Sequence, residues 1–174
     1  MAIRIGINGF GRIGRLVYRA AIQRGGFEIV GVNDLVPADN LAYLLQYDTN
    51  HGRFQHEVKA SGESFSVAGM TTRTLSEREP AKLPWKDLGC TYVLESTGRF
   101  TEFEAAKAHI TAGAKRVTVT LDIVPDDENP TANLSAQDED GELLASVRVA
   151  PSFKLNRASA VAWAEAGFAK PASR

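Results

Sequence analysis

The amino-acid sequence predicts an α/β protein with a doubly wound, mostly parallel sheet and an antiparallel margin, and three observations carry that prediction. Residues 3–7, "IRIGI", alternate in the period of a strand, and an apolar stripe in helical period follows at once. The same strand and helix alternation resumes over residues 90–120. Between the two lie short, polar-alternating stretches of a kind that a pure repeat of βαβ units lacks.

Taken in order, Ile3, Ile5 and Ile7 fall on one face of the first strand. Ile13, Leu16, Val17, Ala20 and Ala21 then recur at the spacing of a helix packed on a sheet, and "RGG" at 24–26 stops it. "FEIVGV" supplies a second strand, so the first third of the chain reads as βαβ. "FQHEVKA", "ESFSVAG" and "TTRTLSE" are expected as antiparallel strands on the sheet margin. Pro80 and Pro84 bar a helix interior in "EREPAKLPW", after which "CTYVLESTG" reads as a buried strand ending in a second glycine turn. Thr101 and Glu104 stand in capping-box register for a helix that ends at Gly113, and "AKRVTVT" is another strand.

The seam between first strand and first helix holds Gly9, Gly11 and Gly14 at the spacing G-x-G-x-x-G. In such a turn the first glycine permits the bend, the second lets backbone approach a pyrophosphate, and the third lets helix and strand pack closely. The helix N-terminus aims unpaired N–H groups and a positive dipole end at the same point. Asp34 lies just past the second strand, 20 residues after Gly14, where a carboxylate accepts the ribose hydroxyls and repels a 2′-phosphate. The alternative is an ordinary βα turn. Strand before, helix after and acid at the right distance favour a Rossmann-type dinucleotide site, with NAD preferred over NADP. Arg12 sits inside the turn, within reach of the pyrophosphate, whereas Arg15 and Arg19 read as a solvated basic face. Ser96, Thr97 and Gly98 stand at a strand's carboxyl end, the edge where open α/β sheets bind ligands, though a plain turn accounts for them equally.

Composition narrows the function classes. A chain of 174 residues with 44% hydrophobic content can bury a core, and one domain is the default. With 20 basic against 21 acidic residues there is no field to gather nucleic acid or an anionic membrane, and neither is expected as a partner. Cys90 is the single cysteine and opens a strand, the wrong edge for a nucleophile; the three histidines lack zinc-ligand spacing, so no metal is expected. The N-terminus runs straight into "AIRIGI", and no stretch of about 18 apolar residues occurs, which leads us to expect a soluble, cytoplasmic chain.

The motifs "INGFGRIGR", "VNDL", "LLQYDTNHGRF", "SEREP", "STGRF" and "HITAGAKRV" appear in an order and spacing that resembles glyceraldehyde-3-phosphate dehydrogenase, over residues 1 to about 120. The related erythrose-4-phosphate dehydrogenases share this resemblance. It implies an NAD-binding domain in which cofactor contacts fall on Gly9, Phe10, Gly11, Arg12, Ile13 and Gly14 in the turn. It further implies contacts from Asn33 and Asp34 at the adenosine ribose and from Arg78 near the adenine. Ser96, Thr97, Gly98 and Phe100 would line the groove, and Thr120 would reach toward the nicotinamide side. Without the resemblance, Arg78 reads as a loop charge and Phe100 as a core aromatic. His51, in "DTNHGRF", has no cysteine or serine beside it to activate and reads as structural.

The resemblance stops after Thr120. A dehydrogenase of that family continues to "SCTTN", whose cysteine attacks the aldehyde, and later to a histidine base; here the chain runs "LDIVPDDENPTANLSAQDEDGE", with eight carboxylates and no Lys or Arg. Residues 121–142 are therefore expected to be a solvated acidic linker. "DDEN" and "DEDG" lack the register of an EF-hand, and the formal glycosylation sequon at Asn133 has no secretory signal to serve it. Residues 144–149 read as one more strand and the alanine-rich stretch from Asn156 to Gly167 as a helix, both expected to complete the same domain; the competing reading is an unrelated, partly ordered tail. The expected function is NAD binding without catalysis by this chain alone. The alternatives are a dehydrogenase whose catalytic domain is supplied in trans and an interaction protein with an occluded groove. Apolar surface left uncovered by a missing catalytic domain adds a homo-oligomer to the expectations.

Overall fold

The computed structural model describes residues 2–100, 103–120, 132–137 and 143–149. The chain divides into two compact units, Met1–Thr120 and Leu121–Arg174.

In the first unit, β1 (Ile3–Asn8) leads into α1 (Arg12–Arg24) and β2 (Phe27–Asn33). A helix not foreseen from the sequence follows, α2 (Ala38–Gln46), with a two-residue pair β3 (Tyr47–Asp48) and β4 (Gly52–Arg53) at its end. Then come β5 (Val58–Ser61), β6 (Ser64–Val67) and β7 (Met70–Leu75), a 3₁₀ turn at Pro80–Lys82, and β8 (Tyr92–Glu95). The helix expected over 101–113 is two short pieces, α3 (Phe103–Ala106) and α4 (Ala108–Thr111), before β9 (Arg116–Val119). Thr101 of the expected capping box lies outside the described residues.

Seven strands form one sheet in the order β5-β6-β7-β2-β1-β8-β9. β2, β1, β8 and β9 pair in parallel and β5 and β6 antiparallel, the mostly parallel Rossmann-type sheet with an antiparallel margin. One strand of that margin behaves differently from expectation. β7 is antiparallel to β6 but parallel to β2, so it joins the margin to the parallel core. From β1 the chain moves outward through β2 and β7 and returns to β8 on the other side of β1. Strand order reverses there, which opens a crevice at the strands' carboxyl ends.

Both faces of the sheet are covered. On one, Trp85 (0% exposed) packs with Val30, Leu83, Cys90, Val93 and Ala114. Elsewhere, Phe10, Tyr18 and Phe65 meet with ring centroids 5.5–5.8 Å apart. Burial pushes the Tyr18 phenol up to about 12, and its hydroxyl donates to Thr72 Oγ1 at 2.9 Å, which itself donates to the Ile29 carbonyl.

α1 corrects the sequence reading in two ways. Its buried face runs through Gly14, Val17, Tyr18 and Ala21, and Ala20 is exposed. Arg19, read as part of a solvated face, is buried: Nη2 donates to the Leu45 carbonyl at 2.6 Å, Nη1 to the Gly52 carbonyl at 3.1 Å, and the guanidinium stacks over Phe54. Arg15 is half-buried with Nη1 on the Phe10 carbonyl at 2.9 Å, and burial lowers its pKa. The reason is α2: its end and the following turn pack against α1's polar side and present carbonyls that need donors. Gln46 holds that strap, donating to the Phe54 carbonyl and accepting from Val58 N–H.

In the second unit, β10 (Ala132–Gln137) and β11 (Leu143–Val149) form a two-stranded antiparallel sheet of their own. The strand read at 144–149 thus pairs with a segment that the sequence reading put in the acidic linker. "ANLSAQ" is the uncharged part of that linker, free of the like-charge repulsion on either side of it. The helix expected over 156–167 lies outside the described residues. Among the described residues, no helix is long and apolar enough to cross a membrane.

Candidate functional site

The carboxyl ends of β1, β2 and β8, with the loop after β7, enclose a groove of about 300 Å³. Its walls are Asn8, Gly9 and Gly11 after β1, Asn33, Asp34 and Leu35 after β2, Glu77 and Arg78 after β7, and Ser96, Thr97, Arg99 and Phe100 after β8.

Each glycine of the turn has a separate geometric role. Gly9 has φ +91°, and a Cβ on it would lie 2.7 Å from the Ser96–Thr97 peptide, so the two turns meet backbone to backbone. Gly14 lies against the Gly9 carbonyl and Ile7, where a side chain would drive α1 off the sheet. Gly11 is the contrasting case, since a Cβ there meets nothing within 4 Å. The first intrahelical bond runs from Arg15 N–H to the Gly11 carbonyl at 3.1 Å. The N–H groups of Arg12, Ile13 and Gly14 precede it and have no acceptor within the helix. Backbone donors and open space thus coincide at the mouth of α1, as an anionic group requires.

Asp34 is half-buried beside this turn. Oδ2 accepts the Phe10 N–H at 2.8 Å and Oδ1 the Val36 N–H at 3.3 Å, which leaves acceptor capacity on both oxygens toward the groove. Phe10 offers only its backbone here; its ring belongs to the core. Ser96 Oγ donates to the Gly9 carbonyl at 2.7 Å and ties the β8 turn to the β1 turn. Thr97 gives both N–H and hydroxyl to Glu95 Oε1, at 2.8 and 2.5 Å. Arg78 is exposed at the rim, its N–H held by Glu77 Oε1.

Of the residues singled out from the sequence, Gly9, Gly11, Asn33, Asp34, Arg78, Ser96, Thr97 and Phe100 line the groove. Arg12, Ile13 and Gly14 form the first turn of α1 behind Gly11, and Gly98, with φ +71°, is the bend between Thr97 and Arg99. Thr120 stands at the end of β9, its N–H and hydroxyl both on the Glu95 carbonyl at 2.9 and 3.0 Å. Asn8, Leu35, Glu77 and Arg99 also line the groove and were missed. Each is the last residue of a strand or lies within a few residues of one, a positional signal that residue type alone does not give.

Two other residues of possible chemical interest lie elsewhere. Cys90 is buried, its thiol donates to the Tyr92 carbonyl at 2.9 Å, and burial pushes it up to about 12. It precedes β8, at the end of the strand opposite the groove. His51 is exposed and bonds Asp48 Oδ1 through Nδ1 at 3.0 Å in the β3–β4 turn. Among the described residues, no three His, Cys, Asp or Glu side chains come together in a metal-binding group.

Comparison with known proteins agrees with this geometry. Residues 3–103 match the family "Glyceraldehyde 3-phosphate dehydrogenase, NAD binding domain". The chain is 53% identical over 118 residues to glyceraldehyde-3-phosphate dehydrogenase 1 of Trichormus variabilis, covering 68% of this chain and 34% of that protein. It is 52% identical over 120 residues to the cytosolic enzyme of Trypanosoma brucei brucei, covering 69% and 36%. The figure for glyceraldehyde-3-phosphate dehydrogenase A of Escherichia coli K12 is 51%, with the same coverage. The chain therefore spans about a third of the length of the curated relatives it matches. By its matched sequence and the crevice that sequence builds, the chain belongs to the glyceraldehyde 3-phosphate dehydrogenase NAD-binding domain family.

Proposed function

We propose that the groove at the reversal of strand order holds NAD with its adenosine half over β2 and its pyrophosphate at the mouth of α1. One observation carries this reading: the Asp34 carboxylate and the open, donor-rich start of α1 face the same groove. In it, the backbone of Gly9 through Gly14 receives the pyrophosphate, aided by Arg12, and Asp34 accepts the ribose hydroxyls next to Asn33. Arg78 lies beside the adenine, while Ser96, Thr97, Gly98 and Phe100 border the path toward the nicotinamide, at the Thr120 side. When bound, NAD supplies a hydride acceptor; the residues of this chain bind and orient it.

The same reading holds that this chain does not oxidise an aldehyde phosphate by itself. That chemistry in the family needs a thiolate beside the nicotinamide. Cys90, buried and with its ionisation pushed up, is on the far edge of the sheet, which supports the reading. Because the match covers only about a third of each relative's length, a catalytic domain acting in trans is the second reading.

Calorimetric titration of the purified chain tests both parts. Saturable NAD binding, weaker binding of NADP, and no reduced nicotinamide formed with aldehyde phosphate and inorganic phosphate are expected. No binding at millimolar NAD would overturn the first part. Turnover that disappears in Cys90→Ser would overturn the second.

A further inference from the structure

We infer that Glu95 and His109, neither of which borders the groove, are positioning residues that set the donor and acceptor pattern of its four walls. The inference rests on the NAD reading above for its ligand, but not for its geometry.

The Trp85 indole N–H can only donate, so His109 Nδ1 accepts it at 3.0 Å and the ring's proton is on Nε2. That Nε2–H donates to Glu95 Oε2 at 2.9 Å, with the histidine 0% and the glutamate 1% exposed. The same Oε2 accepts Asn8 Nδ2 at 2.6 Å, and Oε1 takes both bonds from Thr97. A carboxylate that only accepts fixes which way the Asn8 amide points. Asn8 Oδ1 is thereby turned to Asn33 and accepts its Nδ2 at 2.7 Å. That in turn fixes Asn33, which donates to the Glu77 carbonyl and accepts the Glu77 N–H, both at 2.8 Å.

One hydrogen-bonded chain, Trp85–His109–Glu95–Asn8–Asn33–Glu77, therefore runs beneath the groove, with donors pointing toward Glu95 from both ends. Three of its members, Asn8, Asn33 and Glu77, line the groove walls, as does Thr97 on its side branch. The walls come from β1, β2, β8 and the loop after β7, elements far apart in sequence. Well-packed apolar residues would fill the same volume without desolvating a carboxylate. What the polar chain adds is orientation: each amide has one allowed direction, dictated from the Glu95 carboxylate that His109 holds in place.

The full chain carrying His109→Leu is compared with Leu41→Ala, a core substitution in α2 outside the network, using NAD titration, thermal melting and hydrogen exchange at the Thr97 and Glu77 amides. His109→Leu is expected to raise the NAD Kd about tenfold and to speed exchange at both amides. Leu41→Ala is expected to lower Tm while leaving the Kd within about twofold and those two amides unchanged. His109→Gln, whose amide can replace the Nε2–H, is expected to recover most of the affinity. Equal Kd changes in the leucine and alanine variants, or unchanged exchange at Thr97 and Glu77 in His109→Leu, would overturn the inference. If His109→Leu does not fold, Glu95→Gln, of the same volume, takes its place with the same outcomes. Should the unmodified chain fail to bind NAD, the functional reading falls while the exchange comparison still decides the network.

Discussion

Asp34 shapes the turn and offers itself to a ligand, because one oxygen accepts Phe10 N–H while both keep lone pairs toward the groove. Asp34→Asn keeps the acceptor for Phe10 and removes the charge. It is expected to weaken NAD about tenfold, or about 1.4 kcal/mol, and to narrow the preference over NADP, read by titration with each. Cys90 gives a second prediction. As the single cysteine, with its thiol pushed up to about 12 by burial, it is expected to react with a thiol reagent at pH 8 at least about a hundredfold more slowly in the folded chain than in urea. Asp48 gives a third. Its carboxyl is held down at about 2, chiefly by the His51 backbone N–H. A depressed carboxyl contributes stability that is complete above its unfolded value, 3.8, and lost as pH falls toward 2. Asp48→Asn is therefore expected to melt below the parent at pH 7 and to converge with it by pH 2. At this scale Asp34 was legible from its distance to Gly14, whereas the burial of Arg19 was not: its partners are carbonyls of Leu45 and Gly52, supplied by elements that fold over it.

Among the elements, β1, α1, β2, β8 and β9 could be read from periodicity and glycine punctuation because each buries its apolar positions against the sheet or its cover. α2 carried a signal that went unread, with Pro37 at its mouth, Asp39 in its first turn, and Leu41, Ala42 and Leu45 on its buried side. The division of the expected 101–113 helix at Lys107 has no comparable signal in the sequence. The junction of β1 and α1 supports a further prediction. Because a Cβ at Gly14 would press on the Gly9 carbonyl and Ile7, Gly14→Ala is expected to cost about 1–3 kcal/mol in denaturant unfolding. The same push moves α1 outward and its N–H groups with it, so NAD affinity is expected to fall in parallel. At Gly11, where the space is open in the protein alone, alanine is expected to leave stability within about 0.5 kcal/mol and to weaken NAD by occupying its place.

For the molecule as a whole, Met1–Thr120 contains the seven-stranded sheet, its described core and every residue of the proposed cofactor site. A chain ended after Thr120 is expected to melt cooperatively and to bind NAD within about twofold of the full chain. Loss of folding or binding on that truncation would assign the second unit a role in the first. The sequence by itself determined the α/β class, the glycine turn, the acid after β2 and the family, because all of these are local spacings of a few residues to a few tens. Only the tertiary structure decided that β7 bridges the two kinds of pairing, that Arg19 is buried, and that Asn8, Asn33, Glu77, Glu95 and His109 form one hydrogen-bonded chain. Those features depend on which strands become neighbours, and long-range pairing in space brings together residues that no spacing along the chain connects.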